Sequence, residues 1–190
     1  MIRFSAEELA AKRARLRAII AEKSLLTGRQ FTLASGKPSA FFFDMKKTML
    51  DPEGADLISD LILQALAEED VDHVGGVAMG AVPLVSALCV KSHQHGVPLK
   101  FFYVRKETKD HGTESLIDGY LAKGGKVAIL EDVTTTGGSA MKAITAVTGA
   151  GAKATMVLSV VDRLEGAEAA LGAQGLRLVT LLTSRDFAKA

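Results

Sequence analysis

Residues 127–139 read VAILEDVTTTGGS, an apolar run that ends in two adjacent carboxylates, Glu131 and Asp132. Three threonines, two glycines and a serine follow within the next seven positions, and a pattern typical of a helix comes after them. Adjacent carboxylates repel each other, and burial adds to the cost of their charge, so such a pair is costly unless it holds a ligand. A turn of small residues before a helix offers free backbone N–H groups that suit a phosphate, while the acids suit the hydroxyls of a sugar. The stretch therefore predicts a buried strand that leads into a sugar-phosphate site.

Strands alternate with helices on both sides of this stretch, which is typical of α/β proteins with a mostly parallel central sheet flanked by helices. Apolar runs predict strands at residues 73–78, 99–104, 127–130, 154–161 and 176–182. Caps and apolar residues at helical spacing predict helices at residues 5–23, 83–93, 139–147 and 165–171, and another after Asp51. Ligands of such sheets bind beyond the carboxyl ends of the strands, which is where we expect the acid pair.

The first fifty residues resemble an addition to this core. A helix and a hairpin, with strands at residues 30–33 and 40–45 around a turn at Gly36, precede the first strand–helix–strand unit. The 190 residues show no linker, repeat or low-complexity tract, and this length fits one domain. We expect a single domain over residues 1–190, in which residues 1–50 form a small N-terminal hood and residues 51–190 the core.

The composition argues against several classes of partner. A net charge of +1 does not favour electrostatic capture by nucleic acid or membrane. The longest uncharged run, residues 74–90, is shorter than the roughly 20 residues of a spanning helix and contains Pro83. Cys89 is the only cysteine, so no internal disulfide can form, and the N-terminal residues carry acids and bases instead of an apolar leader. We expect a cytoplasmic protein with no nucleic-acid or membrane partner.

A second polar feature follows the strand at residues 99–104. Residues 105–112 read RKETKDHG and place three permanent cations, Arg105, Lys106 and Lys109, close to His111. Charge runs are usually solvated loops, but this one stands at a strand end, on the side where ligands bind, in a nearly neutral chain. Arginine and lysine suit a polyphosphate, and a flexible loop would let them close over a leaving group and expel water.

Other phosphate and metal motifs do not match. No glycine-spaced turn leads into Gly-Lys-Ser/Thr, and GGVAMG at residues 75–80 lacks the spacing of a dinucleotide fingerprint. His93 and His95 stand two residues apart and do not share a helix face, and no cysteine cluster supports a metal site.

These features together resemble the orotate phosphoribosyltransferases, a branch of the type I phosphoribosyltransferase family. Residues 127–139 resemble the ribose-5-phosphate signature of the whole family, and RKETKDHG matches the mobile-loop motif RKExKxHG of the orotate branch at every specified position. FTLASGKPSAFFFDMK, at residues 31–46, is similar to the segment that covers the base. VVDRLEG, at residues 160–166, is similar to the strand end that supplies an arginine to the orotate carboxylate. The resemblance spans residues 31–166.

The resemblance implies the type I phosphoribosyltransferase fold and an enzyme that transfers the ribose-5-phosphate group of phosphoribosyl pyrophosphate to orotate. The products would be orotidine 5′-monophosphate and pyrophosphate, in the de novo biosynthesis of pyrimidines (UMP). Glu131 and Asp132 would hold the ribose hydroxyls. The implied phosphate turn comprises Val133, Thr134, Thr135, Thr136, Gly137, Gly138 and Ser139; the implied pyrophosphate ligands are Arg105, Lys106, Lys109 and His111; and the implied catalytic set is Lys106, Lys109, His111 and Asp132.

For the base, the resemblance implies that Arg163 pairs with the orotate carboxylate, that Phe42 and Phe43 wall the ring and that Thr135 approaches it. It implies Mg²⁺ as the cofactor, held mainly by phosphoribosyl pyrophosphate, with no direct protein ligand required. It also implies a homodimer in which the mobile loop, with Lys106, Lys109 and His111, reaches the site of the partner.

Met79 and Gly80 depart from the pattern, because many orotate enzymes carry a Tyr-Lys pair in this phosphate-contacting loop. Backbone amides would serve there, or Lys46 and Lys47 would supply the charge. Two other functions remain open at this stage. A phosphoribosyltransferase for another base, such as a purine, would not need Arg163. A regulator that kept the fold would be expected to add a DNA-binding domain or a basic face, and the chain shows neither.

Overall fold

A central sheet organises the computed structural model, which describes residues 3–32, 36, 38–107 and 116–188. In chain order, the strands of this part are β1 (Leu25–Leu26), β2 (Phe31–Thr32), β3 (Pro38–Ser39), β4 (Phe42–Phe43), β5 (His73–Val77), β6 (Lys100–Val104), β7 (Ile117–Gly119), β8 (Lys126–Thr134), β9 (Lys153–Asp162) and β10 (Arg177–Thr183). The central sheet has the order β10–β9–β8–β5–β6–β7. Neighbouring strands are parallel except β7, which runs antiparallel to β6 at the edge. The predicted α/β class with a mostly parallel sheet is confirmed.

Helices cover both faces of the sheet. They are α1 (Ala6–Ile19), α2 (Lys46–Met49), α3 (Pro52–Leu66), α4 (Ala81–Gln94), α5 (Gly138–Gly149) and α6 (Ala167–Gly172), with a π-helical turn at Ile20–Ser24 and a 3₁₀ turn at Ser184–Phe187. Leu130 of β8 packs in the apolar core that includes α1, α3 and α4, whereas its neighbour Ile129 packs in the core that includes α5 and α6. Successive side chains of a strand point to opposite faces, so the uninterrupted apolar run of β8 serves both layers. Within the described ranges, no helix has the length and apolar character needed to cross a membrane.

The predicted helix starts are confirmed where a cap marks them. Ser5 and Glu8 form a reciprocal capping box at the start of α1, since each side chain accepts the backbone N–H of the other. The carboxylate of Asp51 caps α3. α4 begins at Ala81, two residues before the predicted start at Pro83, because the first turn of a helix does not need the N–H that proline lacks.

β8 is longer than the apolar run that predicted it. The run covers residues 127–130, whereas the strand continues through the acid pair to Thr134, which pairs with Asp162 of β9. Glu131 and Asp132 therefore lie within the paired strand, and the expectation that they follow its end was wrong. The apolar pattern stops at the first charge, but the pairing of the backbone does not.

The hood pairs its strands differently from the prediction. β2 pairs with β3, and β4 pairs with β1, so Phe31 and Thr32 pair with Ser39 and Pro38 and not with β4. Phe43 and Met45 are buried in the main core, and this burial holds β4 against Leu25 and Leu26. The predicted hairpin is present, with Pro38 and Ser39 as its second strand.

Candidate active site

The acid pair is held in an environment that disfavours its charge. Glu131 is only 7% exposed, and burial, helped by the charge of Asp132, raises the pKa of Glu131 to about 8. Burial also raises the pKa of Asp132, although its contacts with backbone N–H groups and the charge of Lys46 oppose that rise. Among the described residues, no cation offsets the rise of the pKa of Glu131. A bound partner that prefers anionic oxygens would relieve this cost.

The acids line a small cavity at the carboxyl edge of the sheet. Its volume is about 140 Å³, and its lining comprises Val77, Ala78, Met79, Gly80, Ala81, Lys106, Leu130, Glu131, Asp132 and Ser139. A Cβ atom placed on Gly80 would stand 2.9 Å from Oδ1 of Asp132. A larger residue would push the carboxyl group aside, so glycine suits the loop before α4 where it lies against Asp132. The peptide bond between Ala78 and Met79 is cis.

The turn after β8 presents backbone groups to the same edge. Gly137 has a φ of +83°, a conformation that favours glycine, and no side chain caps the start of α5 at Gly138. The first N–H groups of α5 therefore remain available to an anion, as the sequence predicted. Thr134 is 2% exposed and its hydroxyl has no hydrogen-bond partner in the described part of the chain. Thr135 is half-buried, whereas Thr136, Gly138 and Ser139 are exposed.

Two cations of the predicted basic loop, Arg105 and Lys106, are described, and their side chains have different surroundings. Lys106 lines the cavity of its own chain together with the acid pair. Arg105 points instead toward β7, where its Nε lies 3.2 Å from Oδ2 of Asp118. Lys109 and His111 lie outside the described residues.

Arg163 is buried one strand away from the turn. Its backbone N–H donates to the carbonyl of Thr134 at 2.9 Å, which fixes the arginine beside the predicted phosphate site. Its guanidinium donates through Nε to Glu165 (2.7 Å), through Nη2 to the Ser39 hydroxyl (2.8 Å) and through Nη1 to the Phe41 carbonyl (3.3 Å). The structure thus brings the hood to the predicted base-binding arginine.

The three consecutive phenylalanines of the hood face different ways. Phe43, predicted to wall the base, is 4% exposed and packs edge-on against Phe41 and Phe187. Phe42 stacks on Phe31, at a centroid distance of 5.8 Å. Phe41, which the sequence reasoning did not single out, lies under the Arg163 guanidinium at 4.2 Å from the ring centroid. A run of three apolar residues on an extended segment cannot face one way, which is the signal that separates them.

The donor chemistry fits a magnesium ion held mainly by substrate. Among the described residues, no group of three histidine, cysteine, aspartate or glutamate side chains could cage a metal ion. Mg²⁺ commonly takes one or two protein carboxylates and completes its shell with phosphate oxygens and water. Glu131 and Asp132 offer such oxygens at the edge of the cavity, and the raised pKa of each reports a carboxyl that a cation would stabilise in its charged form.

Comparison with known proteins gives one consistent family. The model of the phosphoribosyl transferase domain matches residues 47–171. The orotate phosphoribosyltransferase of Bradyrhizobium diazoefficiens is 48% identical over 184 residues, covering 95% of this chain and 98% of the relative. The orotate phosphoribosyltransferase of Sorangium cellulosum is 45% identical over 181 residues, covering 94% of each.

Solved structures agree with this relation. Orotate phosphoribosyltransferase of Mycobacterium tuberculosis H37Rv in complex with 5-phospho-alpha-D-ribosyl 1-diphosphate has a TM-score of 0.77 and 34% identity, covering 93% of this chain and 98% of that one. The same protein in complex with Fe(III) dicitrate has a TM-score of 0.81 and 35% identity, covering 94% and 99%. Shared fold, near-complete coverage and a buried acid pair beside an uncapped helix all point the same way. The chain therefore belongs to the orotate phosphoribosyltransferases, within the family that carries the phosphoribosyl transferase domain.

Proposed function

We propose that this enzyme transfers the ribose-5-phosphate group of phosphoribosyl pyrophosphate to orotate, giving orotidine 5′-monophosphate and pyrophosphate in the de novo biosynthesis of pyrimidines (UMP). The observation that carries the choice of base is the place of Arg163. It is buried, and its backbone N–H is hydrogen-bonded to Thr134 at the start of the phosphate turn. A base that carries a carboxylate is the partner that a buried guanidinium beside a sugar-phosphate site suits best.

The ribose and its phosphate bind along the edge of β8. Glu131 and Asp132 accept hydrogen bonds from the 2′ and 3′ hydroxyls. The 5′-phosphate lies against the start of α5, where free backbone N–H groups and the positive end of the helix favour an anion. The Thr134 hydroxyl donates to that phosphate, and its lack of a partner among the described residues supports this role. The remaining members of this turn are Val133, Thr135, Thr136, Gly137, Gly138 and Ser139.

The reaction is a displacement at the anomeric carbon. The bond from that carbon to the pyrophosphate oxygen breaks, the ring gains positive charge, and a ring nitrogen of orotate forms the new bond. Negative charge grows on the leaving group, and Lys106 in the cavity, with Lys109 and His111 of the basic loop, stabilises it. A magnesium ion beside Glu131 and Asp132 would offset negative charge on the leaving group. The negative charge of Asp132, which lines the same cavity, favours the positive ring.

The base binds between the turn and the hood. Arg163 pairs with the carboxylate of orotate, and Thr135 approaches the ring. Since Phe43 packs in the core, we assign the aromatic wall to Phe42 and add Phe41, which lies beside Arg163.

Three further features belong to this proposal. The hood at residues 1–50 and the core at residues 51–190 act as one domain. The enzyme is a cytoplasmic homodimer that uses no nucleic-acid or membrane partner. Its mobile loop reaches the partner's site through Lys109 and His111, whereas Lys106 serves its own chain, whose cavity it lines.

Orotate absorbance followed over time tests the function. Purified protein, phosphoribosyl pyrophosphate and Mg²⁺ should together deplete orotate. Lys109→Ala should lower turnover by roughly 100-fold or more, as the loss of a single transition-state donor does. Arg163→Ala should abolish orotate use, whereas Arg185→Ala, at an exposed position, should not. Turnover of a purine in place of orotate would reject the assigned base, and no turnover with any base would favour a regulator.

A further inference from the structure

The Arg163 guanidinium is held by contacts that the catalytic scheme does not use. Glu165 accepts from Nε at 2.7 Å, and the Ser39 hydroxyl accepts from Nη2 at 2.8 Å. The carbonyl of Phe41 accepts from Nη1 at 3.3 Å, and the ring of Phe41 covers one face of the group at 4.2 Å. The arginine side chain is only 3% exposed. Its orientation is therefore set by these neighbours rather than by solvent.

The turn that delivers Glu165 is conformationally unusual. Leu164, between the two charged residues, has a φ of +61°, a left-handed conformation that a leucine rarely adopts. Its N–H donates to Oδ1 of Asp162 at 3.0 Å, and this bond closes the turn. Strain of this kind persists where the surrounding structure needs the geometry. Here the left-handed residue turns the chain so that the Glu165 carboxylate contacts Arg163, two residues earlier.

Ser39 connects the same arginine to the hood. Its hydroxyl donates to the Phe41 carbonyl at 2.8 Å and accepts from Arg163 at 2.8 Å. One hydroxyl has a single proton and two lone pairs, so both bonds can form at once. Arg163, the residue after β9, thus links this strand end to β3 across more than one hundred residues of sequence.

These contacts leave a defined set of donors. A guanidinium has five N–H groups, and three of them have acceptors here. One N–H remains on Nη1 and one on Nη2, with no further acceptor in the described part of the chain. A carboxylate has two oxygens and can accept from two such donors.

We propose that Glu165 and Ser39 are positioning residues that make Arg163 select a base carrying a carboxylate. The inference rests on the proposed role of Arg163 in binding orotate. With both neighbours in place, the arginine presents its two remaining donors in fixed directions. A base without a carboxylate leaves these nearly buried donors unpaired, and an unpaired buried donor weakens binding more than a lost contact does. Selection thus arises from a site that is incomplete without the carboxylate.

Steady-state kinetics of Glu165→Ala and Ser39→Ala test this role. Each should raise KM for orotate about tenfold, the effect of one hydrogen bond to a charged group, and leave KM for phosphoribosyl pyrophosphate within about twofold. Glu165→Gln and Ser39→Thr, which keep an acceptor oxygen, should restore much of the lost affinity. Glu168→Ala and Ser86→Ala are matched controls at exposed positions and should behave as wild type.

The outcomes separate this proposal from the proposed function. If Arg163→Ala abolishes orotate use while Glu165→Ala and Ser39→Ala keep the wild-type KM for orotate, positioning is wrong and the function stands. Equal increases in both KM values, without rescue by the conservative variants, would show a merely structural role and also overturn it. If wild-type protein does not use orotate at all, both proposals fail. Thermal unfolding of each variant identifies any that do not fold, and the conservative variants then decide.

Discussion

Burial raises the pKa of Glu131 to about 8 from the usual 4.5 of a glutamate, and this residue therefore links stability to pH. The folded protein keeps the proton up to about pH 8, whereas the unfolded chain releases it near its usual pKa. The resulting stabilisation is complete below the unfolded pKa and is lost as the pH rises toward the folded one. Each pKa unit corresponds to about 1.4 kcal/mol, so this one carboxyl group contributes substantially to the pH dependence of the free energy of unfolding.

Glu131→Gln removes that titration. We expect its free energy of unfolding to change less between about pH 5 and about pH 8 than that of wild type. Denaturant unfolding at both pH values measures the difference. Glu168→Gln, at an exposed position, is the control and should follow wild type. Parallel pH dependences for wild type and Glu131→Gln would show that Glu131 is ionised throughout this range.

Two buried threonines should respond in opposite directions to the same substitution. Thr134 has a hydroxyl without a partner among the described residues, whereas the Thr48 hydroxyl lies 2.6 Å from that of Ser24. Thr134→Val removes an unpaired polar group and should raise the free energy of unfolding by about 1 kcal/mol, while Thr48→Val should lower it by about 1 kcal/mol. Denaturant unfolding of both variants gives the comparison. Thr134→Val should also raise KM for phosphoribosyl pyrophosphate, and destabilisation by both variants would mean that the Thr134 hydroxyl is satisfied.

At the scale of elements, one carboxylate joins three helices. Asp60 of α3 lies 2.7 Å from Nζ of Lys12 in α1 and 2.9 Å from Nζ of Lys91 in α4. Burial lowers the pKa of Lys91, but its hydrogen bonds to Asp56 and Asp60 outweigh that effect, so the net pKa is raised. The ammonium group of Lys91 thus stays charged in a partly buried position, and we expect the Asp60 carboxylate to stabilise it there.

Asp60→Asn should destabilise the fold by about 2 kcal/mol, because in a partly buried setting it removes the charge that faces Lys12 and one of the two carboxylates that face Lys91. Glu68→Gln breaks the exposed pair with Arg3 and is the matched control, expected to cost less than about 0.5 kcal/mol. Urea unfolding of the two variants measures both values. A cost for Asp60→Asn as small as that for Glu68→Gln would show that the helices hold together without this contact.

Elements with a local signal could be predicted from the sequence, and those fixed by distant contacts could not. The apolar runs of β8 and β9 and the caps at Ser5 and Asp51 act within a few residues. Both strands and both helix starts are confirmed, although the strands are longer than predicted. β7 was missed because three residues that include a charge and a glycine carry no alternating pattern. The partner of β4 was wrong because burial of Phe43 in the core selects it, and burial is not visible locally.

The residues of the site also fall into those with a local sequence signal and those fixed by distant contacts. The acid pair and the phosphate turn are contiguous in sequence, so one strand-to-helix pattern revealed them together. The neighbours of Arg163 in the hood lie more than one hundred residues away, and only folding brings Ser39 and Phe41 to it. A side chain at position 80 would press on the carboxyl of Asp132, and this contact between the loop before α4 and strand β8 is not encoded by any local motif.

At the scale of the whole molecule, each cation of the basic loop could act in the active site of its own chain or in that of the partner. Lys106 lines the cavity of its own chain, which Asp132 also lines. In the proposed dimer, Lys109 reaches the partner's site instead. Mixed dimers distinguish the two cases. Two inactive variants can together form a complete site only if the two altered residues belong to different chains of that site.

Asp132→Asn protein mixed with Lys109→Ala protein, after subunit exchange, should recover activity. Each mixed dimer then holds one complete site, built from the Asp132 of one chain and the Lys109 of the other. With equal amounts, mixed dimers are half of the population, and activity should reach about a quarter of wild type. Asp132→Asn mixed with Lys106→Ala should recover no activity. If Lys106 acts in its own chain, each of the two sites in the mixed dimer carries one of the two substitutions. Recovery in both mixtures would place Lys106 across the interface as well, and recovery in neither would mean that each chain completes its own site.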